Sequence, residues 1–247
     1  MVSKERLDKL LVKRGLAESR EKAQALIMAG QVYVNGKRLD KAGHKVPLEA
    51  EIEVKGKGLP FVSRGGLKLA HALKHFGLDV KGLICADIGA STGGFTDCLL
   101  QAGAQKVYAI DVGKGQLHYK LRQDPRVIVL EGVNARYLSE KDLPELVDLV
   151  TIDVSFISLT KILPAALRIL KPGGKIIALI KPQFEVGREK VGKGGVVRNP
   201  ALHQEVIKKI EEFSTKELSL KSLGVVESPI LGPAGNKEFL IVLEKRH

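Results

Sequence analysis

Seven short apolar runs, at residues 83–86, 107–110, 127–130, 147–152, 175–180, 223–226 and 239–243, constrain this chain more than any other feature. Stretches of helical periodicity separate most of them. Strands that alternate with helices need crossover connections, and crossovers build a mostly parallel, doubly wound sheet. The last two runs are joined instead by a Gly/Pro loop, residues 232–236, so they are expected to pair as a hairpin and set one antiparallel strand into the sheet. The expected class is α/β. At 247 residues, 44% of them apolar, the chain has room for this domain and a smaller one.

Residues 1–60 follow a different pattern of helix, helix and hairpin. Ser3 is placed to cap a helix in which Leu7, Leu10 and Leu11 share a face and which Gly15 ends; Ser19 opens a second, with Ala23, Leu26 and Ile27 inside, which Gly30 ends. Val32-Tyr33-Val34 then leads into Asn35-Gly36, a pair that accepts positive φ in a tight turn, and residues 51–54 alternate as an edge strand does. Residues 55–66 are rich in glycine, contain Pro60 and read as a linker. Two domains are expected, 1–60 and 61–247.

Forty Lys plus Arg against 28 Asp plus Glu leave a net charge of +12, which makes nucleic acid the leading partner. In the first unit Arg6, Lys13, Arg14, Arg20, Lys22, Lys37 and Arg38 lie off the apolar faces, near helix starts and the turn, where they could grip phosphates. Cys85 and Cys98 lack any framework spacing, so a reducing compartment is expected. Residues 1–9 hold no apolar signal core and no apolar run approaches the roughly 18 residues that span a bilayer, which points to the cytoplasm and away from membranes. His71 and His75 share a helix face without further ligands nearby, and no metal is expected.

Ligands of doubly wound sheets bind beyond the carboxyl ends of the strands. The first strand of this sheet runs into Asp87-Ile88-Gly89-Ala90-Ser91-Thr92-Gly93-Gly94-Phe95, a glycine-rich turn whose missing Cβ atoms let the backbone approach a ligand. A dinucleotide fingerprint would need glycine where Ser91 stands, which makes NAD the weaker choice. The pattern resembles the S-adenosylmethionine loop of Rossmann-like class I methyltransferases, particularly the FtsJ-like RNA ribose methyltransferases. That resemblance implies cofactor contacts from Asp87, Gly89, Ala90, Ser91, Gly93, Gly94 and Phe95, from Asp111 to the ribose hydroxyls, and from Asn134 to the adenine edge.

The resemblance extends to four charges: Lys68, Asp153, Lys181 and Glu238 match the catalytic Lys-Asp-Lys-Glu set of the FtsJ-like enzymes. A ribose 2′-hydroxyl is a poor nucleophile and must lose or share its proton as it attacks, a task that falls to Lys181 among oriented charges. Amine methyltransferases of this fold hold their planar target with two prolines after the fourth strand; here Val154-Ser155 stand in that place, so a hydroxyl target is expected. Residues 182–200 contain Gly187, Gly192, Gly194 and Gly195 with Arg188, Lys190, Lys193 and Arg198, and read as a mobile basic loop that could close over RNA. Arg64, Arg188 and Lys193 join the expected RNA contacts.

The stretch RLDKLLVKRGLAESREKAQALIMAGQVYVNGK resembles the αL RNA-binding module of a ribosomal small-subunit protein. Module, linker and catalytic tetrad together resemble the TlyA family over essentially the whole chain. Its members are described as hemolysin A or as rRNA 2′-O-methyltransferases acting on cytidines of the ribosomal subunits. The resemblance implies an S-adenosylmethionine-dependent rRNA methyltransferase, expected as a monomer. A non-catalytic ribosome-assembly protein is the alternative, and a pore-forming hemolysin a further one that lacks a visible insertion segment.

Overall fold

The computed structural model describes residues 3–55 and 59–247, so the centre of the expected linker, Gly56-Lys57-Gly58, lies outside the described residues. The chain divides into two compact units, Met1–Pro60 and Phe61–His247.

The first unit contains β1 (Lys4–Arg6), α1 (Leu7–Lys13), α2 (Arg20–Met28), β2 (Val32–Val34), β3 (Lys37–Arg38), β4 (Lys45–Pro47) and β5 (Ile52–Val54). Ser3 caps nothing here. Residues 4–6 are extended because they pair antiparallel with β4, Arg6 opposite Lys45, so the helix cannot begin before Leu7. The other expected caps form: the Ser19 hydroxyl accepts from the Lys22 N–H at 3.2 Å, and Gly15 and Gly30 stop their helices in the left-handed region. Asn35 and Gly36 both take positive φ between β2 and β3, and β5 pairs with the other side of β2. Leu7, Leu11, Ile27 and Val32, all fully buried, form the centre of this unit's own core.

The second unit contains α3 (Gly65–His75), β6 (Ile84–Ile88), α4 (Gly94–Gln101), β7 (Lys106–Asp111), α5 (Tyr119–Arg122), β8 (Val127–Glu131), β9 (Val147–Ile152), α6 (Leu163–Ile169), β10 (Leu170–Ile180), α7 (Pro200–Glu212), β11 (Lys221–Glu227) and β12 (Phe239–Glu244). Its seven strands lie in the order β11-β12-β10-β9-β6-β7-β8. The expected hairpin forms, and β12 is inserted between β10 and β11, antiparallel to both. Strand periodicity sorts the side chains into two cores: Ile176, Ala178 and Ile180 of β10 face one with α6 and α7, while Ile177 and Leu179 face the other with α3 and α4. Helices on both faces are the reason these strands read as continuous apolar runs.

Two loop expectations change. Residues 61–66 are built into the second unit: the Val62 N–H donates to Asp97 Oδ2 at 2.8 Å, and a Cβ on Gly66 would lie 2.4 Å from Phe61 Cγ. The basic loop after β10 is anchored at its far end. Buried Asn236 accepts from the Val197 N–H at 2.9 Å and donates to the Gly195 carbonyl at 2.9 Å, while the buried His203 ring meets the Val197 carbonyl at 2.7 Å. Glycine content suggested mobility, but it is countered by polar anchors distant in sequence.

Because each unit has its own core, damage should stay local. Leu11→Ala removes a fully buried side chain from the smaller core and should cost about 2–5 kcal/mol. Hydrogen exchange should then accelerate across α1, α2 and β2, with protection of β6, β7 and β9 unchanged.

Candidate active site

The carboxyl ends of β6, β7, β9 and β10 form one edge of the sheet, and the reversed β12 brings its amino end to the same edge. Ile180 and Phe239 are the last paired residues of β10 and β12, so Lys181 and Glu238 stand one step beyond that rung. Asp153 follows β9, fixed by its N–H donating to the Ile88 carbonyl at 3.0 Å. The charges join as two ion pairs, Lys181 with Asp153, and Lys68 Nζ with Glu238 Oε1 at 2.5 Å. Lys181 Nζ also donates to Ser155 Oγ at 3.1 Å. Glu238 is fully buried, its Oε2 has no hydrogen-bond donor among the described residues, and a Cβ on Gly232 would sit 2.2 Å from that oxygen. Removing either partner of the Lys68–Glu238 pair would strand a desolvated charge.

The glycine loop is shaped by protein as much as by a ligand. A Cβ on Gly89 would lie 2.1 Å from the Asp153 carbonyl oxygen, one on Gly93 2.2 Å from Leu121 Cδ1, and one on Gly94 2.2 Å from Ser63 Oγ. These glycines let the loop seat against the neighbouring strand end and helices. Ser91, where a dinucleotide fold would have glycine, takes φ 52°. Its N–H donates to Asp111 Oδ2 at 2.7 Å, and the Gly113 N–H donates to Asp111 Oδ1 at 2.8 Å. Beside this loop is a cleft lined by Ala90, Ser91, Asp111, Leu117, Val129 and Glu131 among others.

Three residues given cofactor roles in the sequence also have structural partners within the protein. Asp87 is fully buried beneath the loop, accepting from Thr96 Oγ1 at 2.7 Å and Thr151 Oγ1 at 3.2 Å, and so braces β6 against β9 and α4. Phe95 is buried in the core. Asn134 caps a short turn through the Arg136 N–H at 3.1 Å and is not among the cleft residues.

Residues that sequence reasoning missed stand beside Lys181. Phe156 is 90% exposed and takes φ 64°, a left-handed backbone that costs a bulky residue about 1–3 kcal/mol. Its ring lies 5.0 Å from that of Phe184. Glu185, with its side chain only 2% exposed, fixes the two loops that carry these rings: it accepts from the Leu159 N–H at 2.8 Å, from Ser158 Oγ at 2.6 Å and from Lys209 Nζ at 3.2 Å. The motif Asp153-Val154-Ser155-Phe156 contains these groups, but backbone strain and exposure have no signature in one sequence.

The expected RNA contacts divide by how they are held. In the first unit Lys13 pairs with Glu5, Lys22 with Glu18, and Arg14 donates to the carbonyls of Ala50 and Leu48, while Arg6 and Arg20 converge on Asp8. Lys37 and Arg38 are exposed. In the second unit Arg64 reaches the Leu231 carbonyl at 3.3 Å, and Arg188 and Lys193 are exposed on the anchored loop. No group of metal-binding side chains and no helix long and apolar enough to cross a membrane occurs among the described residues.

The family profile described as FtsJ-like methyltransferase matches residues 61–245, and that of the S4 domain matches residues 5–52. YqxC of Bacillus subtilis, provisionally named an rRNA methyltransferase, is 55% identical over 97% of this chain and 85% of its own length. TlyA of Mycobacterium tuberculosis, a 16S/23S rRNA (cytidine-2′-O)-methyltransferase, is 46% identical over 98% of this chain and 91% of its own. The solved structure of a provisionally named hemolysin from Streptococcus thermophilus superposes with a TM-score of 0.78 at 49% identity, covering 100% of this chain and 90% of that one.

The brace beneath the loop gives a pH dependence. Burial pushes the Asp87 carboxyl up to about 7; the Asp153 charge adds to this and the Thr96 and Thr151 hydrogen bonds oppose it. The folded chain therefore holds a proton that the unfolded chain releases near pH 4. As pH rises from about 4 to about 7, this group subtracts up to about 1.4 kcal/mol of stability per pH unit, and nothing further above that. Asp87→Asn should flatten that decline, measured as the difference between wild-type and variant urea-unfolding free energies at pH 5 and pH 7.

Proposed function

Because the chain belongs to the FtsJ-like methyltransferase family and carries an S4 domain ahead of the catalytic fold, we propose that it transfers a methyl group from S-adenosylmethionine to the 2′-hydroxyl of a cytidine in ribosomal RNA, as a cytoplasmic monomer. The observation that carries this reading is Lys181 at the end of β10, its amine held by Asp153 and Ser155 beside the Lys68–Glu238 pair. Cytidine and rRNA are the substrate named for TlyA of Mycobacterium tuberculosis, carried here to a chain that shares nearly its whole length.

The residues that line the cleft suit the cofactor's chemistry. Each Asp111 oxygen accepts one backbone N–H and keeps a lone pair for a ribose hydroxyl, and Ala90, Leu117 and Val129 offer an apolar wall for adenine. When bound, S-adenosylmethionine supplies a methyl carbon made electrophilic by its sulfonium sulfur. The Lys181 amine stands where it can take the proton of the attacking 2′-hydroxyl, with Asp153 beside it to hold the ammonium that results. Held against Ser91 and Asp111, the cofactor would supply that methyl carbon, with its sulfur as the leaving group. Lys68 and Glu238 fix the adjoining wall of the site. Exposed Phe156, packed on half-buried Phe184, offers an aromatic surface beside Lys181 against which an unstacked nucleotide can rest.

Incubating ribosomal subunits with the protein and methyl-labelled cofactor, followed by mass mapping, should find the label on the ribose of a cytidine. Label on a base would overturn the reading. Lys181→Ala should lower methyl transfer by at least about a hundredfold while cofactor affinity, measured by calorimetry, stays within about twofold of wild type.

A further inference from the structure

Asp8 lies in the first turn of α1 with its side chain wholly buried. Five hydrogen bonds converge on its two oxygens. Oδ1 accepts from Arg6 Nε at 3.0 Å and from the Lys9 N–H at 2.9 Å; Oδ2 accepts from Arg6 Nη2 at 3.0 Å, Arg20 Nε at 3.0 Å and Gln24 Nε2 at 2.9 Å. Hydrogen bonding from Arg6 above all, with Gln24 and Arg20, holds its carboxyl well below the usual carboxylate range despite burial. Arg6 is half-buried and Arg20 exposed, and Arg6 Nη1 and both η nitrogens of Arg20 have no hydrogen-bond partner among the described residues. The Arg6 guanidinium also rests against Gly43, where a Cβ would meet its Cζ, Nη1 and Nη2 at 3.7 Å.

This differs from a surface ion pair, in which both partners are solvated and wander. One buried carboxylate anchors two partly exposed guanidiniums whose remaining η nitrogens have no hydrogen-bond partner among the described residues, so the cluster keeps a net positive charge in a fixed arrangement. Two rigid forks that share one anchor match an oxyanion with three accessible acceptors. Resting on the reading of the chain as an rRNA-binding enzyme, we infer that Asp8 is a positioning residue: it holds Arg6 and Arg20 side by side as a clamp for one RNA phosphate. An acid is thereby part of what makes this unit bind a polyanion.

The sign of the effect separates this from simple electrostatics. Asp8→Asn adds one unit of positive charge, which by charge count strengthens RNA binding. The clamp requires the opposite, because the amide NH2 that replaces one oxygen repels the arginine donors. The full-length protein is titrated into 30S and 50S ribosomal subunits at two salt concentrations. Asp8→Asn should bind at least about tenfold more weakly than wild type, and in an Arg6→Ala/Arg20→Ala background the same change should cause no further loss, which a merely structural role would not produce. If Asp8→Asn fails to fold, Arg6→Lys/Arg20→Lys, which keeps every charge but lacks the forks, should show the same tenfold loss. Unchanged or tighter binding by a folded Asp8→Asn variant, additive losses in the double background, or full binding by the lysine pair each overturn the clamp. Failure of the wild type itself to bind either subunit instead overturns the rRNA reading on which the clamp rests.

Discussion

The site depends on one reversed strand. In a parallel sheet every strand presents its carboxyl end at the functional edge, so a residue that precedes a strand belongs at the opposite side. Insertion of β12 antiparallel to β10 and β11 reverses this for Glu238 alone and sets it one step past the Ile180–Phe239 rung, beside Lys181. Residues far apart in the chain, Lys68 and Glu238, can then form a buried pair. Such a pair is weak support for stability, because two charges have been taken from water to make it. Its retention in a site that also holds Lys181 and Asp153 is better explained by the chemistry of that edge.

The glycine loop shows how one sequence motif answers two demands. Gly89, Gly93 and Gly94 are each required by protein atoms, since a Cβ at any of them would meet the Asp153 carbonyl, Leu121 or Ser63. Close seating brings the Ser91 N–H onto Asp111 and places the loop over Asp87, whose buried carboxyl connects it to Thr96 and Thr151. Loop, strand end and helix start are therefore mechanically one piece. A cofactor bound against Ser91 and Asp111 would rest on a wall whose position is set from below.

Most of the fold was legible because its signals are local. Seven apolar runs became seven strands, the helix-free 232–236 loop became the hairpin, and Ser19, Gly15, Gly30 and Asn35-Gly36 act where turn chemistry puts them. Ser3 misled because a tertiary pairing with β4 holds residues 4–6 extended, which a capping rule cannot anticipate. The basic loop is held by a distant residue in the same way, since Asn236 anchors it from the loop before β12. At the site, resemblance supplied the four charges, but their division into pairs came only with the strand order. The Asp87 brace and the Asn134 cap were not legible, because their partners are set by the folded backbone. Phe156 was inside a recognised motif, yet its exposure and left-handed backbone exist only in three dimensions.

The cations show why net charge describes an RNA-binding surface poorly. Arg14 is committed to backbone carbonyls and Lys13 and Lys22 to neighbouring acids, so three of the first unit's seven expected contacts serve its own structure at least in part. Acids that share the solvent with their partners, half-buried Glu5 and exposed Glu18, merely reduce the field of the cations beside them. A buried acid such as Asp8 acts differently, because it fixes the direction of two guanidiniums that remain partly exposed. Long-range attraction follows the sum of charges and is screened by salt, whereas registration on a particular phosphate follows their arrangement. An rRNA methyltransferase, which must bring a single target group to its active site, needs the second property more than the first.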